Sequence, residues 1–259
     1  MKDVKIVVAT HKKYKMPQSE YYLPIHVGRE IRENIGYIGD NTGDNISKKV
    51  LYYGELTGLY WAWKNLKNEY IGLVHYRRHF KGENKKKKNL YDCILSKREI
   101  DELLERTDII LTKKRNYYIE TLYNHFKNTM YIEVLDIAGE IIKEKYREYY
   151  PFFEKLYERK SAHMFNIMIM KGSYLNLYCE WLFNILKELE KRADINKYDS
   201  FHARSIGRVG ELLLDIWIEK NEIKYIEVPI LNTEKINWVY KGSMFLLSKF
   251  TGRKYIKSF

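Results

Sequence analysis

Short apolar runs of strand length alternate with stretches of helical periodicity along this chain, and that alternation restricts its fold more than any other feature. Val4 to Ala9, Tyr70 to Val74, Thr107 to Thr112, His163 to Met170 and Tyr225 to Ile230 read as strands. Between them, Leu51 to Leu66, Ser96 to Arg106, most of residues 118–158, Tyr174 to Arg192 and Ser205 to Lys220 read as helices. Leu51, Glu55, Leu59 and Trp63 recur every fourth residue, Leu177, Trp181, Ile185 and Leu189 form a second stripe, and Ser96-Lys97-Arg98-Glu99 spells a capping box. Residues 14–35 are polar and mixed, with Pro17 and Pro24, and Ile38 to Ser47 is dense in turn formers. The pattern predicts an α/β fold with a mostly parallel central sheet flanked by helices and additional helical segments. With 259 residues, 45% of them hydrophobic, and no repeat or flexible linker, a single domain over 1–259 is expected.

Other classes are disfavoured. No run approaches the roughly 18 apolar residues of a membrane span. Met1-Lys2-Asp3 leads straight into a strand-like run, unlike a signal peptide, so a cytoplasmic location is expected. Cys93 and Cys179 lie far apart, without metal spacing, and are expected to stay reduced. The formal net charge of +12 fits a nucleic acid, an anionic membrane face or a phosphorylated substrate as partner. An overall richness in Lys, Ile, Asn and Tyr contributes to that charge independently of function.

The strand at Tyr70 runs through Gly72-Leu73-Val74-His75 into Tyr76-Arg77-Arg78-His79-Phe80. A buried strand that delivers two arginines to its carboxyl end suits an anionic ligand, because open α/β sheets bind ligands at that edge. Guanidinium forks match phosphate oxygens, so the block reads as a diphosphate grip; the alternative is a strand ending in solvated charge. Thr10 and His11 follow the first strand at the same kind of position. Gly43, Asp44 and Asn45 form a turn able to present donors to a base or ribose, or a plain turn. Glu55, on an otherwise apolar helix, needs a partner, and Arg77 or Arg78 would serve. Glu211 could take a proton from an acceptor hydroxyl or pair with Arg208 three residues earlier. His163 and Asn166 open the second apolar run. No P-loop, Gly-rich dinucleotide fingerprint, zinc spacing, nucleophile elbow or Asp-x-Asp pair is present. Cations in place of a bound metal could stabilise a leaving diphosphate. No cofactor is therefore expected, with Mg or Mn left open and Asp40 and Asp44 as the residual candidate ligands. The tail, Trp238 to Phe259, mixes aromatic and basic residues and suits either a membrane-facing segment or a last packed helix.

Three blocks, Thr42 to Ser47, Glu55-Leu56-Thr57-Gly58-Leu59-Tyr60-Trp61-Ala62-Trp63-Lys64-Asn65 and Gly72 to Phe80, resemble the signature blocks of a bacterial family once labelled only as a domain of unknown function. His163-Met164-Phe165-Asn166, the Trp181-Leu182-Phe183 helix and Arg208 through Trp217 match further blocks, so the resemblance covers nearly the whole chain. Members of that family occur in capsule, exopolysaccharide and O-antigen gene clusters, and some are galactofuranosyltransferases. The resemblance implies a GT-A-like glycosyltransferase that uses a UDP-sugar, with galactofuranose or another hexose as the sugar. It implies a lipid-linked oligosaccharide acceptor and a peripheral position at the inner face of the plasma membrane, with no nucleic acid. On this reading Thr10 and His11 lie near the nucleotide, with Gly43, Asp44 and Asn45 beside it. His75, Arg77 and Arg78 hold the diphosphate, Glu55 braces them, and His163, Asn166, Arg208 and Glu211 serve the acceptor side, Glu211 as base. His79 departs from the aromatic residue usual at its position in the family. The rival expectations are a nucleic-acid-binding module and a non-catalytic scaffold of a polysaccharide assembly complex.

Overall fold

The computed structural model describes residues 2–83 and 89–234. The run Lys85 to Lys88 and the basic aromatic segment 238–259 lie outside the described residues. The strands are β1 (Val4–Thr10), β2 (Tyr22–His26), β3 (Ile38–Gly39), β4 (Tyr70–His75), β5 (Arg78–Phe80), β6 (Ile109–Thr112), β7 (Arg115–Asn116), β8 (Ser161–Ala162), β9 (Met168–Lys171), β10 (Ile226–Val228) and β11 (Ile230–Asn232). The helices are α1 (Val50–Tyr53), α2 (Leu56–Asn65), α3 (Lys97–Leu104), α4 (Leu122–Thr129), α5 (Ile132–Lys145), α6 (Tyr150–Glu154), α7 (Gly172–Arg192) and α8 (Ser205–Lys220).

The main sheet runs β10-β6-β9-β4-β1-β2-β3, with β5 and β11 attached beyond β4. Six of the seven strands on that path point one way; β9 alone is antiparallel, wedged between β4 and β6. The mostly parallel α/β sheet expected from the alternation is therefore present. Successive side chains of β1 go to opposite faces. Val7 and Ala9 join the larger core with α2, α5, α7 and α8, while Val4, Ile6 and Val8 join a second core against α3. Among the described residues no helix is long and apolar enough to cross a membrane.

Four local expectations change. The polar stretch 14–35 holds β2, paired in parallel with β1 through Ile6↔Tyr22 to Thr10↔His26. Pro24 hides this strand from a propensity reading. It is tolerated because only Ile25 and His26 pair with β3, leaving β2 an edge at Pro24. The helix expected over Leu51 to Leu66 is two helices broken at Gly54, whose φ of 58° and ψ of −130° suit a residue without a Cβ. The strand expected from His163 starts only at Met168; Phe165 and Asn166 are left-handed instead, with φ of 76° and 54°. The strand expected over Tyr225 to Ile230 divides into β10 and β11, and β11 turns to pair antiparallel with β5.

A cleft of about 720 Å³, lined by Thr107, Asp108, Tyr149, Tyr174, Trp181 and Trp217 among others, opens at the amino end of β6, the edge opposite His75. Gly72, in the middle of β4, shows how tightly β9 is inserted. A Cβ there would stand 2.9 Å from the Met168 carbonyl oxygen and 2.9 Å from the Ile169 side chain. Gly72→Ala is expected to destabilise the fold by about 1–3 kcal/mol, read from the urea midpoint, as overpacked interiors do. An unchanged midpoint would contradict this packing.

Candidate functional site at the carboxyl edge of the sheet

The chain brings its cations together where β1 and β4 end. Ala9 is in register with His75, and the Tyr76 amide donates to the Ala9 carbonyl at 3.1 Å, so His11 and the Tyr76-Arg77 turn leave the sheet side by side. The turn is tight because β5 folds back on β4, His75 opposite Arg78. Tyr76, 3% exposed, anchors the corner: its ring meets His11 at 5.4 Å, Tyr14 at 4.8 Å and His75 at 4.3 Å, and Lys12 lies over it at 5.0 Å. Thr10 is buried, and its hydroxyl donates to the Lys12 carbonyl at 2.7 Å. It shapes the loop that carries His11.

The electrostatics record the crowding. Burial and the neighbouring charges of Arg32, Arg204, Lys12 and Arg77 lower His11 to about 4. Burial, Arg78, Arg77, His11 and Arg204 lower His75 to about 2. Arg78 itself falls to about 10, chiefly through burial and Arg77, although Glu211 and Glu55 oppose the shift. A guanidinium loses affinity for its proton when it is taken out of water and set beside a like charge, and Arg78 is both. Arg77 makes a long ion pair, 3.5 Å, with Glu234, which also reaches Lys12 at 3.5 Å, while the buried Nε of Arg77 has no partner. Residues that were not singled out from sequence, Arg32, Tyr76 and Glu234, thus belong to the cluster. Nothing in local sequence marks Arg32, which reaches this edge only because the hidden β2 carries its segment there.

The antiparallel β9 supplies the second wall. Met168 faces Leu73 and Leu111, so the turn before it, residues 163–167, lies at the same edge as His75. Left-handed backbone at Phe165 and Asn166 costs on the order of 1–3 kcal/mol at each residue, so the surroundings must hold it. The Phe165 amide donates to Glu211 Oε2 at 3.0 Å, Arg78 stacks on the Phe165 ring at 4.3 Å, and Asn166 Nδ2 donates to Glu55 Oε1 at 2.9 Å. The Asn166 Oδ1, fully buried, has no partner. Arg204, at the N-cap of α8, and Arg208 and Glu211, within it, recur at helical spacing, which directs all three to this wall.

Several placements differ from those expected. Glu55, at the start of α2, pairs with Arg204 at 3.8 Å and with Asn166, not with Arg77 or Arg78; its charge reaches Arg78 and Arg208 only through space. Glu211 is 3% exposed, and both its oxygens are engaged, one by Arg208 at 2.9 Å and the other by the Phe165 amide. It positions the turn. His163 is 1% exposed, bonded through Nδ1 to Asp215 and through Nε2 to Glu227 at 3.0 Å. It secures the turn from behind. The Gly43-Asp44-Asn45 turn docks on α2. Tyr60 donates to Asp44 Oδ1 at 3.2 Å, Asn65 Nδ2 to the Asp44 carbonyl at 2.9 Å, and the Asn45 side chain returns to the Gly43 carbonyl at 2.9 Å. Asp40 is committed to the Gly28 and Arg29 amides and the Ser47 hydroxyl. Among the described residues no group of three or more His, Cys, Asp or Glu is placed to hold a metal ion.

Comparison with known proteins follows this geometry. The chain superposes on the structure of the WbbM bifunctional glycosyltransferase, solved without ligand, with a TM-score of 0.82 and 30% identity. The match covers 90% of this chain and 46% of that one, so the chain spans about half the length of its structural relative. No curated protein matches the chain. A family model described as a domain of unknown function, DUF4422, matches residues 5–222. By that match, which spans β1 through α8, the chain belongs to the DUF4422 family.

Proposed function

We propose that this chain is a glycosyltransferase that binds a nucleoside-diphosphate sugar at the carboxyl edge of β1 and β4 and passes the sugar to a glycan acceptor. The observation that carries this reading is the excess of cations around His11 and His75, in a chain whose backbone follows a glycosyltransferase. The finer reading takes a UDP-sugar, galactofuranose or another hexose, as donor. Its acceptor is a lipid-linked oligosaccharide of capsule or surface-polysaccharide synthesis, met at the inner face of the membrane. The resemblance of the Glu55 and His75 blocks supports that choice.

In the proposed reaction the bond between the sugar's anomeric carbon and the diphosphate breaks, its electron pair leaves on the diphosphate oxygen, the acceptor hydroxyl oxygen forms the new bond, and the hydroxyl proton passes to the departing diphosphate or to water. Arg77, with its unpartnered Nε and weakly held Nη1, is the donor best placed to receive the departing charge. His75 and His11 lie beside it. Arg78, stacked on Phe165, fixes the wall against which the sugar would sit. Glu55, Asn166, Arg208 and Glu211 keep that wall in place.

Three outcomes are expected. Arg77→Ala leaves the thermal midpoint near that of the wild type but lowers transfer by at least about 100-fold, in line with removal of a donor aimed at developing charge; near wild-type turnover would refute its role. Transfer survives EDTA, because cations occupy the place of a metal; loss restored by Mn²⁺ would contradict this. Donor binding near pH 6 takes up protons. Burial and the surrounding cations hold His11 at about 4 in the free protein, and an anion among those cations offsets their part of the shift and moves it upwards. Affinity therefore rises as pH falls from 7 towards the free-protein value. Calorimetry of a UDP-sugar in two buffers of different ionisation enthalpy reads the uptake, and identical heats at pH 6 would contradict it.

A further inference from the structure

We infer that Arg32 and Arg204 form a second guanidinium pair that grips the diphosphate together with Arg77. This rests on the proposed donor site and specifies which groups fill it.

The two residues reach the edge from unrelated parts of the chain. Arg32 follows the short turn Arg29–Ile31, and its Nη1 donates to the Val27 carbonyl at 3.1 Å. The Val27 amide in turn donates to the Thr10 carbonyl at 2.9 Å, which pins Arg32 against the carboxyl ends of β1 and β2. Arg204 closes the turn that leads into α8 and passes over Gly54, where a Cβ would stand 3.2 Å from its Nη2. The glycine break between α1 and α2 is what admits it. Its carboxylate neighbour, Glu55, is 3.8 Å away, too far for a hydrogen bond, and that carboxylate already accepts from Asn166.

The Arg204 charge is felt at Arg32, and both charges are felt at His11. Asp40 opposes Arg32, but its oxygens hold two backbone amides and a serine hydroxyl. Two guanidinium groups at one edge, with only the long Glu55 contact to Arg204 and the engaged Asp40 to offset them, are costly until an anion enters. Across the whole cluster, Lys12, Arg32, Arg77, Arg78, Arg204 and Arg208 face Asp40, Glu55, Glu211 and Glu234. Cations outnumber carboxylates there, and Arg115, over the Phe165 ring at 5.8 Å, adds to the surplus. A nucleotide-sugar diphosphate carries one negative charge on each phosphoryl group and offsets more of that surplus than a single phosphodiester does. The cluster therefore selects a diphosphate-linked donor over a monophosphate-linked one.

The test measures dissociation constants of UDP and UMP for wild type, Arg32→Gln, Arg204→Gln and Arg77→Gln, with Arg32→Lys and Arg204→Lys as charge-retaining variants. Both arginines are partly exposed, and an unchanged circular dichroism melt confirms the fold of each variant. Each of Arg32→Gln and Arg204→Gln is expected to weaken UDP by at least about tenfold and UMP by less than threefold, with the lysine variants in between. UDP affinity within twofold of wild type in both glutamine variants, while Arg77→Gln weakens it, would overturn the second pair and leave the donor site standing. Equal losses for UDP and UMP would also overturn it, because the pair would then not read the second phosphate. Absence of nucleotide binding by the wild type would remove the donor reading and this inference with it.

Discussion

Positive charge gathered at one edge of a sheet, with too few carboxylates to balance it, is the constraint on which the rest of this structure depends. Like charges at such spacing repel unless burial, stacking and partial pairing hold them, and each of those devices is present. Tyr76 packs His11, His75 and Lys12 into one corner, Phe165 lies under Arg78, and Glu211 ties Arg208 to the strained turn. The low values of His11 and His75 follow from that arrangement. Both imidazoles stay neutral because burial disfavours the protonated ring and a further proton would add to the positive charge around them.

Two departures from regular secondary structure make the gathering feasible. An antiparallel β9 between β4 and β6 reverses the usual direction, so the loop before it, and not the loop after it, arrives at the carboxyl edge. That loop is the one with consecutive left-handed residues, fastened by Glu211, Glu55 and the His163–Asp215 pair behind it. The break at Gly54 puts Glu55 at the beginning of α2, facing Asn166, and leaves a slot for Arg204. Strain and an interrupted helix are thus concentrated where the polar side chains converge, as expected when local preference yields to a site.

The alternation of strand-like and helix-like runs was enough to read the α/β class, and the capping box at Ser96 and Glu99 forms as its spacing implies. The adjacency of Arg77, Arg78 and His75 is local, so it too was visible. What local pattern could not supply is any contact made across the fold. Glu55 and Asn166 are 111 positions apart, and His163 meets Asp215 across 52; no periodicity announces either pair. Pro24 concealed β2, and with it the reason Arg32 reaches the edge. The pairing of Glu211 with Arg208 was one of the two readings its spacing offered, but its bond to the Phe165 amide and the partners of His163 were not, because a sequence shows residue types and not which distant atoms engage them.

The most direct measurement is the position of the diphosphate in a structure of the chain with a UDP-sugar or UDP bound. The account predicts phosphoryl oxygens within hydrogen-bond distance of the Arg77 guanidinium, between the carboxyl ends of β1 and β4 and beside His11. A nucleotide bound at another edge of the sheet, with Arg77 still paired to Glu234, would contradict it.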